Sequence, residues 1–184
     1  MQIEAYAVVS ADDRITDEDG EMPLSLQSDA EWAFFQAGLD RADVTVLGRL
    51  SHDVTPNPRQ RRRLVLTRSV PGVCRAEEVT VFWNPDGAPL DQALAAFGAP
   101  IAHLAVTGGQ GVFDYFLSGP HRYTAFHLSR IDGVRLPGGT AVFAAVEAGT
   151  ATAEAVLQAG GYDPGPRCQL DRRAHVVTWT RTPG

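Results

Sequence analysis

Cysteine is scarce in this chain of 184 residues: Cys74 and Cys168 are the only two. They lie far apart with no Cys or His at metal-ligand spacing beside either, which excludes a disulfide framework and a zinc motif and leaves two ordinary thiols; no metal is expected. Basic charge is short as well. The formal net charge is −6, and only "RQRRR" (Arg59 to Arg63) concentrates positive residues. A general nucleic-acid surface needs a broad basic patch, so nucleic acid is not an expected partner, whereas a local anion site fits that run. Apolar runs are too short to span a bilayer, and "MQIEAYAVVSADD" has neither the basic n-region nor the long apolar core of a secretion signal. No membrane partner and a cytoplasmic location are therefore expected. Two fingerprints are also missing. "GGQG" lacks the G-x-G-x-x-G spacing and its distant acidic residue, which disfavours a standard Rossmann assignment. No H-x-E with P-C-x-x-C occurs, which excludes deamination on this chain.

What is present is enough apolar material for a core: 44% of residues are hydrophobic and 21% charged. One globular domain spanning residues 1–184 is expected. "IEAYAVVSA" (Ile3 to Ala11) reads as a buried strand, followed by the polar loop "DDRITDEDGEMP". Ser28 and Glu31 make an S-x-x-E capping box, so a helix should run from Asp29 to Arg41. Asp43–Gly48, Arg63–Thr67 and Glu78–Trp83 read as strands, and Pro89–Gly98 as a short helix. "IAHLAV" is a further strand, leading through "TGGQG" into a helix over Val112–Gly119. Strands alternating with helices imply a mostly parallel sheet covered on both faces. Towards the end the order changes: a strand over Arg122–Ser129, the turn-rich "GVRLPGGTAVF", the short helix "ATAEAVLQAGG", and a strand over Arg172–Arg181 that can close one edge antiparallel.

Three strands end in the same way, with a sharp turn of Gly or small hydroxyl residues: "VLGRLS", "VLTRS" and "AVTGGQG". Strand carboxyl ends line the ligand crevice of open α/β sheets, and N–H groups at the following helix starts suit phosphates. Each turn alone is usually only a turn; three on one sheet edge suggest a dinucleotide cradle. Arg49 and Arg68 follow two of them. Either can be a solvated surface residue, but if both face the crevice they would select the extra phosphate of NADP over NAD.

The segments "AVVSADDRIT", "EMPLSLQSDAEWAFF", "VLGRLS", "VLTRS", "VTGGQGVFDYFL" and "HLSRIDGVRLPGGTAVF" resemble, in order and approximate spacing, the dihydrofolate reductase superfamily. That superfamily includes the C-terminal reductase domain of bacterial riboflavin-biosynthesis deaminase-reductases. The resemblance covers nearly the whole chain and implies an α/β three-layer sandwich, with a mostly parallel central sheet and an antiparallel edge strand. It places Asp29 on the family's substrate-binding carboxylate and Ser129 on the hydroxyl that supports it. Gly48, Arg49 and Ser51 match the pyrophosphate turn, and Thr67 and Arg68 the adenosine-phosphate side. Gly108 and Gly109, with Gln110, Gly111 and Phe113, match the nicotinamide side. Val9, Leu24, Ala33 and Arg61 fall on the substrate side. The implied cofactor is NADPH, giving hydride to a C=N or sugar carbonyl carbon.

Two positions depart from the folate pattern. Leu24 stands where a Trp is typical, and Ala33 where an aromatic packs on the pterin, a contact worth about 0.5–1.5 kcal/mol beyond area burial. The resemblance therefore implies a reductase of a pyrimidine or pterin substrate, of the 5-amino-6-(5-phosphoribosylamino)uracil reductase kind, with dihydrofolate reductase as the alternative. A non-catalytic nucleotide-binding module is the reading from another class, and a homodimer stays open. Asp29 can also be simply a favourable charge at a helix start, worth about 0.3–1 kcal/mol. The polar segment around Ile15 to Gly20 is expected to act as a lid that excludes water during hydride transfer.

Overall fold

A computed structural model describes residues 1–181. Its centre is β1 (Gln2–Val9), which lies parallel to β6 (His103–Val106) on one side and to β7 (Ala125–Ile131) on the other. Odd residues Ile3, Ala5, Ala7 and Val9 point into the main core, while Tyr6 points to the opposite face. Burial on both faces explains why β1 is apolar from Ala5 to Val9 rather than alternating, with Glu4 the one charged residue inside it.

The sheet continues outward from β6 through β2 (Val44–Gly48), β3 (Arg63–Leu66) and β5 (Thr80–Trp83), all parallel. The short β4 (Val73–Arg75) closes that side antiparallel. On the other side β9 (Ala174–Arg181) runs antiparallel to β7, and β8 (Tyr162–Gln169) pairs antiparallel with β9. The order among the described residues is β4-β5-β3-β2-β6-β1-β7-β9-β8. The expected α/β architecture is found, with one correction: the C-terminal strand is not the edge. That place belongs to β8, whose "YDPGPRCQ" holds two prolines and a glycine and is exposed from its second residue onward. Prolines remove donors and are tolerated on an edge.

Helices cover both faces. α1 (Asp29–Arg41) lies over Tyr6 and Ala105, using Phe34, Phe35 and Leu39. On the other face α3 (Leu90–Ala95), α4 (Gln110–Ser118), α5 (Ala144–Glu147) and α6 (Ala153–Ala159) supply Leu90, Phe113, Phe116, Val146 and Leu157 to the main core. α2 (Arg49–Val54), which the sequence reading leaves as loop, starts directly from the last residue of β2. No helix among the described residues is long and apolar enough to cross a membrane.

The turn after β1 is fixed by a buried ion pair. Asp13 sits at φ 61, a left-handed conformation that costs a non-glycine residue roughly 1–2 kcal/mol. Its carboxylate offsets that by accepting from Arg130 at 2.6 Å and from the Ala153 N–H, at the start of α6, at 2.9 Å. The same guanidinium donates to the Ser10 carbonyl at 2.7 Å. Because β1 ends here, this network aims the loop that follows across the sheet's carboxyl edge.

α1 approaches β1 closely at Gly38, where an added Cβ would fall 2.4 Å from the Tyr6 ring. Helix propensity favours alanine over glycine by about 1 kcal/mol, but overpacking costs about 1–3 kcal/mol, so the clash wins. Gly38→Ala is expected to lower the urea-unfolding free energy by about 1 kcal/mol or more; an unchanged or raised midpoint would show that α1 is not held against Tyr6 in this way.

Candidate functional site

The parallel neighbours β3, β2 and β6 bring the three turns onto one edge. The Gly48 N–H donates to the Gly108 carbonyl at 2.8 Å, joining the first turn to the third, and the Gly108–Gly109 peptide is cis. Gly48 caps α2 and Gly109 caps α4, neither with a side-chain bond. Both helix starts therefore keep free N–H groups and the positive end of the helix dipole. They border a hollow of about 670 Å³. Gly48, Arg49 and Ser51 line it from β2–α2, Thr67 and Arg68 from the end of β3, and Gly109, Gln110 and Gly111 from the start of α4. Arg68 is exposed and has no partner among the described residues. Arg49 is already engaged, its Nε on the Asp53 carboxylate at 2.8 Å and its guanidinium 4.9 Å from the centre of the Phe82 ring.

A second cavity, of about 520 Å³, opens beneath α1. It shares Ile15, Thr16, Gly20, Ser51 and Gly109 with the first hollow, so the two form one cleft with a waist at those residues. Phe113 lies on the second cavity's side of the waist. Tyr6, Thr45, Leu47 and Thr107 line it from the sheet, and Glu31, Trp32 and Phe35 from α1. Glu31 is buried, 8% exposed. Burial pushes its carboxyl above the ordinary range, while a hydrogen bond with the buried Ser129 works against that rise. A carboxyl with raised proton affinity in a largely apolar cleft is a frequent mark of a working site.

The far end of this cavity is basic. Arg59 and Arg61 both bind Asp40, holding that carboxyl below its usual range, with Arg61 the stronger influence. Arg61 also donates to Gln36 at 2.9 Å. Arg63 is buried, and its guanidinium donates to the carbonyls of Thr55 and Pro56, each at 2.8 Å, with no carboxylate partner among the described residues. The same guanidinium also lies 3.4 Å from His52 Nδ1, and a buried cation met by neutral groups alone favours an anion arriving beside it.

Of the expected site residues, Gly108 and Ser129 stand behind the lining, and four lie elsewhere. Asp29 is exposed at the first position of α1 and does not line the cleft. With about 100° per residue, it stands some 200° around the helix from Glu31. Only half of the expected capping box forms: Ser28 accepts from the Glu31 N–H at 3.2 Å, but the Glu31 side chain turns inward to Ser129. The Ser28 hydroxyl donates instead to Asp171 at 2.5 Å. Ser129 thus does support a carboxylate, and it is that of Glu31. Val9 is fully buried in the core of the opposite face, Leu24 is 82% exposed, and Ala33 is exposed on the outer side of α1. Tyr6, Trp32 and Phe35 make up the aromatic wall that Leu24 and Ala33 do not. The sequence does carry a signal for Glu31 on a helical wheel, where Glu31, Phe35 and Leu39 fall on one stripe at four-residue spacing.

Two solved structures share this architecture. A protein of Shewanella sp. PV-4 assigned to riboflavin biosynthesis aligns with a TM-score of 0.69 and 20% sequence identity over 100% of both chains. A diaminohydroxyphosphoribosylaminopyrimidine deaminase/5-amino-6-(5-phosphoribosylamino)uracil reductase of Thermotoga maritima gives 0.66 at 15% identity, over 98% of this chain and 56% of that one. No protein-family model and no curated protein sequence matches the chain. At these identities the likeness is one of fold, and it agrees with the three-layer α/β arrangement expected from the sequence.

The raised proton affinity of Glu31 has a thermodynamic consequence. The folded state holds its proton more tightly than the unfolded chain, so this group's contribution to stability falls as pH rises through the unfolded carboxyl range and stays low above the folded one. Glu31→Gln should therefore melt above the wild type at pH 8, and the gap should shrink at pH 4, as read by thermal unfolding at both values. An identical gap at both would contradict a buried, proton-retaining Glu31.

Proposed function

We propose that this chain is an NADPH-dependent reductase of a pyrimidine-type heterocycle with an anionic tail, of the 5-amino-6-(5-phosphoribosylamino)uracil reductase kind. The observation that carries the reading is a buried carboxylate and an arginine end in one cavity, joined at a narrow waist to a hollow bordered by two uncapped helix starts. That hollow fits a dinucleotide. The backbone N–H groups of α2 and α4 suit the pyrophosphate, and Thr67 with the unpartnered Arg68 suits an adenosine phosphate. At the waist Gly109 has no side chain, and even a Cβ there would meet only Ile15, at 3.9 Å, which leaves room for a flat ring. When bound, NADPH supplies the hydride.

The chain's own residues then orient and protonate. Ionised Glu31, steadied by Ser129, accepts hydrogen bonds from ring N–H groups and favours positive charge as the acceptor carbon is reduced. In its protonated form, which burial favours, the same carboxyl is the group placed to give the substrate heteroatom the proton that balances the hydride, and it returns to the carboxylate in doing so. Tyr6, Trp32 and Phe35 give the ring apolar surfaces, and Arg61 and Arg63 attract the anionic tail. Ile15, Thr16 and Gly20 reach over both lobes and exclude water.

The substrate order rests on different grounds from those the sequence offers. An incomplete aromatic wall does not argue against folate here, because α1 supplies Trp32 and Phe35. What favours the uracil nucleotide is the fold shared with a uracil reductase, together with a buried Arg63 that lacks a counter-charge. A pterin with a glutamyl tail would set carboxylates on the same arginines and is the second reading. A non-catalytic nucleotide-binding module gives no reason for burying Glu31.

NADPH oxidation with the phosphoribosylaminouracil and with dihydrofolate tests this. Turnover is expected with the former. Glu31→Gln should lower kcat/KM by about 10²–10⁴-fold, Asp29→Asn should leave it unchanged, and Arg61→Ala should act mainly on KM. Absence of turnover with both substrates despite NADPH binding, or equal damage from Asp29→Asn, would overturn the proposal.

A further inference from the structure

Behind the Tyr6 wall, on the α1 side of the sheet, three polar side chains converge on one carboxylate oxygen. Glu4 Oε2 accepts the Tyr6 hydroxyl at 2.7 Å. It also lies 3.3 Å from His103 Nε2 and 3.6 Å from His127 Nε2. Both imidazole nitrogens are buried and make no other hydrogen bond. The remaining groups around the cluster are Arg41 of α1, which donates to the Tyr6 hydroxyl at 3.1 Å, Thr178 of β9, which bonds His127 Nδ1 at 2.9 Å, and Asp43, whose carboxylate accepts the His103 backbone N–H at 2.9 Å.

The His103 ring has a constrained proton count. Its Nδ1 faces the Arg41 carbonyl at 3.2 Å, and a carbonyl can only accept, so Nδ1 carries hydrogen. In a neutral ring Nε2 then turns a lone pair towards the Glu4 carboxylate, and only a second proton makes that contact attractive. His127 is freer: a hydroxyl both donates and accepts, so its neutral ring can give Nε2–H to Glu4. A proton arriving at His103 thus competes with Tyr6 and His127 for a single oxygen. Tyr6 is stacked on His127 with ring centres 4.5 Å apart and touches Phe35 at 6.3 Å, and Phe35 meets Trp32 at 5.5 Å. Tyr6, Phe35 and Trp32 all line the cavity.

We propose that Glu4, His103 and His127 form a shared proton site that sets the position of Tyr6 and, through Phe35 and Trp32, the aromatic wall of the cavity. Proton uptake draws Glu4 Oε2 towards His103 and weakens its bond from the Tyr6 hydroxyl, whose oxygen goes on accepting from Arg41. Proton loss returns the oxygen to Tyr6 and His127. The device is a property of the wall, independent of what the cavity binds or reduces, and its test needs no ligand.

Imidazole and indole resonances of the intact protein, followed by NMR from pH 8 to pH 4.5, test this, with Trp32→Phe identifying the Trp32 indole signal. The two imidazoles should take up their first proton at a pH about one unit or more lower in Glu4→Gln than in the wild type, as expected when an adjacent carboxylate is removed. The Trp32 signal should move with the same midpoint as that first proton in the wild type and stay still in Glu4→Gln. Should Glu4→Gln fail to fold, His103→Gln serves in its place and should likewise abolish the Trp32 movement. A Trp32 signal that ignores imidazole protonation, or that moves equally in the variant, would overturn the proposal.

Discussion

Gly38 lets α1 drop onto β1 until the helix rests against the Tyr6 ring, and most of the site depends on that seam. The helix cannot rotate about its axis without driving a side chain into Tyr6. Its azimuth is therefore set, and with it which acid goes inward. Glu31 falls on the stripe with Phe35 and Leu39 and is buried beside Ser129, while Asp29 is carried to the solvent side. The same seam holds Tyr6 between the cavity and the Glu4–His127 cluster, so one close approach of two elements shapes both the wall and what stands behind it.

The rest of the cleft follows from the topology of a parallel sheet. Three neighbouring strands place their carboxyl ends together, and the short β2–α2 and β6–α4 connections leave two helix starts without side-chain caps. Leaving N–H groups unpaired costs stability, as does burying Glu31 and leaving Arg63 without a carboxylate. These costs gather in one cleft. By contrast Asp13, buried at the turn after β1, is compensated: it accepts from both Arg130 and the start of α6.

Much of this was legible in the sequence. The bounds of α1 are those expected, and β1, β2 and β3 stand within a residue or two of their sequence assignments, because apolar runs and capping residues are local signals. The glycine and hydroxyl turns reached one edge because strand alternation implies a parallel sheet. The carboxylate was harder to read. Motif spacing pointed to Asp29, and the S-x-x-E pattern gave Glu31 a capping task that its side chain does not perform. Whether an acid at a helix start turns back to the cap or inward depends on what packs below it, here Tyr6 and Ser129 from distant strands. β8 was missed because two prolines and a glycine argue against a strand, and only pairing with β9 at an edge makes them tolerable. α2 was missed because it begins with no turn between it and β2.

The two lobes form one cleft, with Glu31 as the carboxylate lining the lobe beneath α1. A crystal structure with NADP⁺ bound tests this most directly. The account predicts the pyrophosphate at the starts of α2 and α4, the nicotinamide at the waist beside Gly109 and Ile15, and Glu31 lining the lobe left open. NADP⁺ lying outside the cleft, or an open lobe faced by Asp29 with Glu31 turned away, would contradict it.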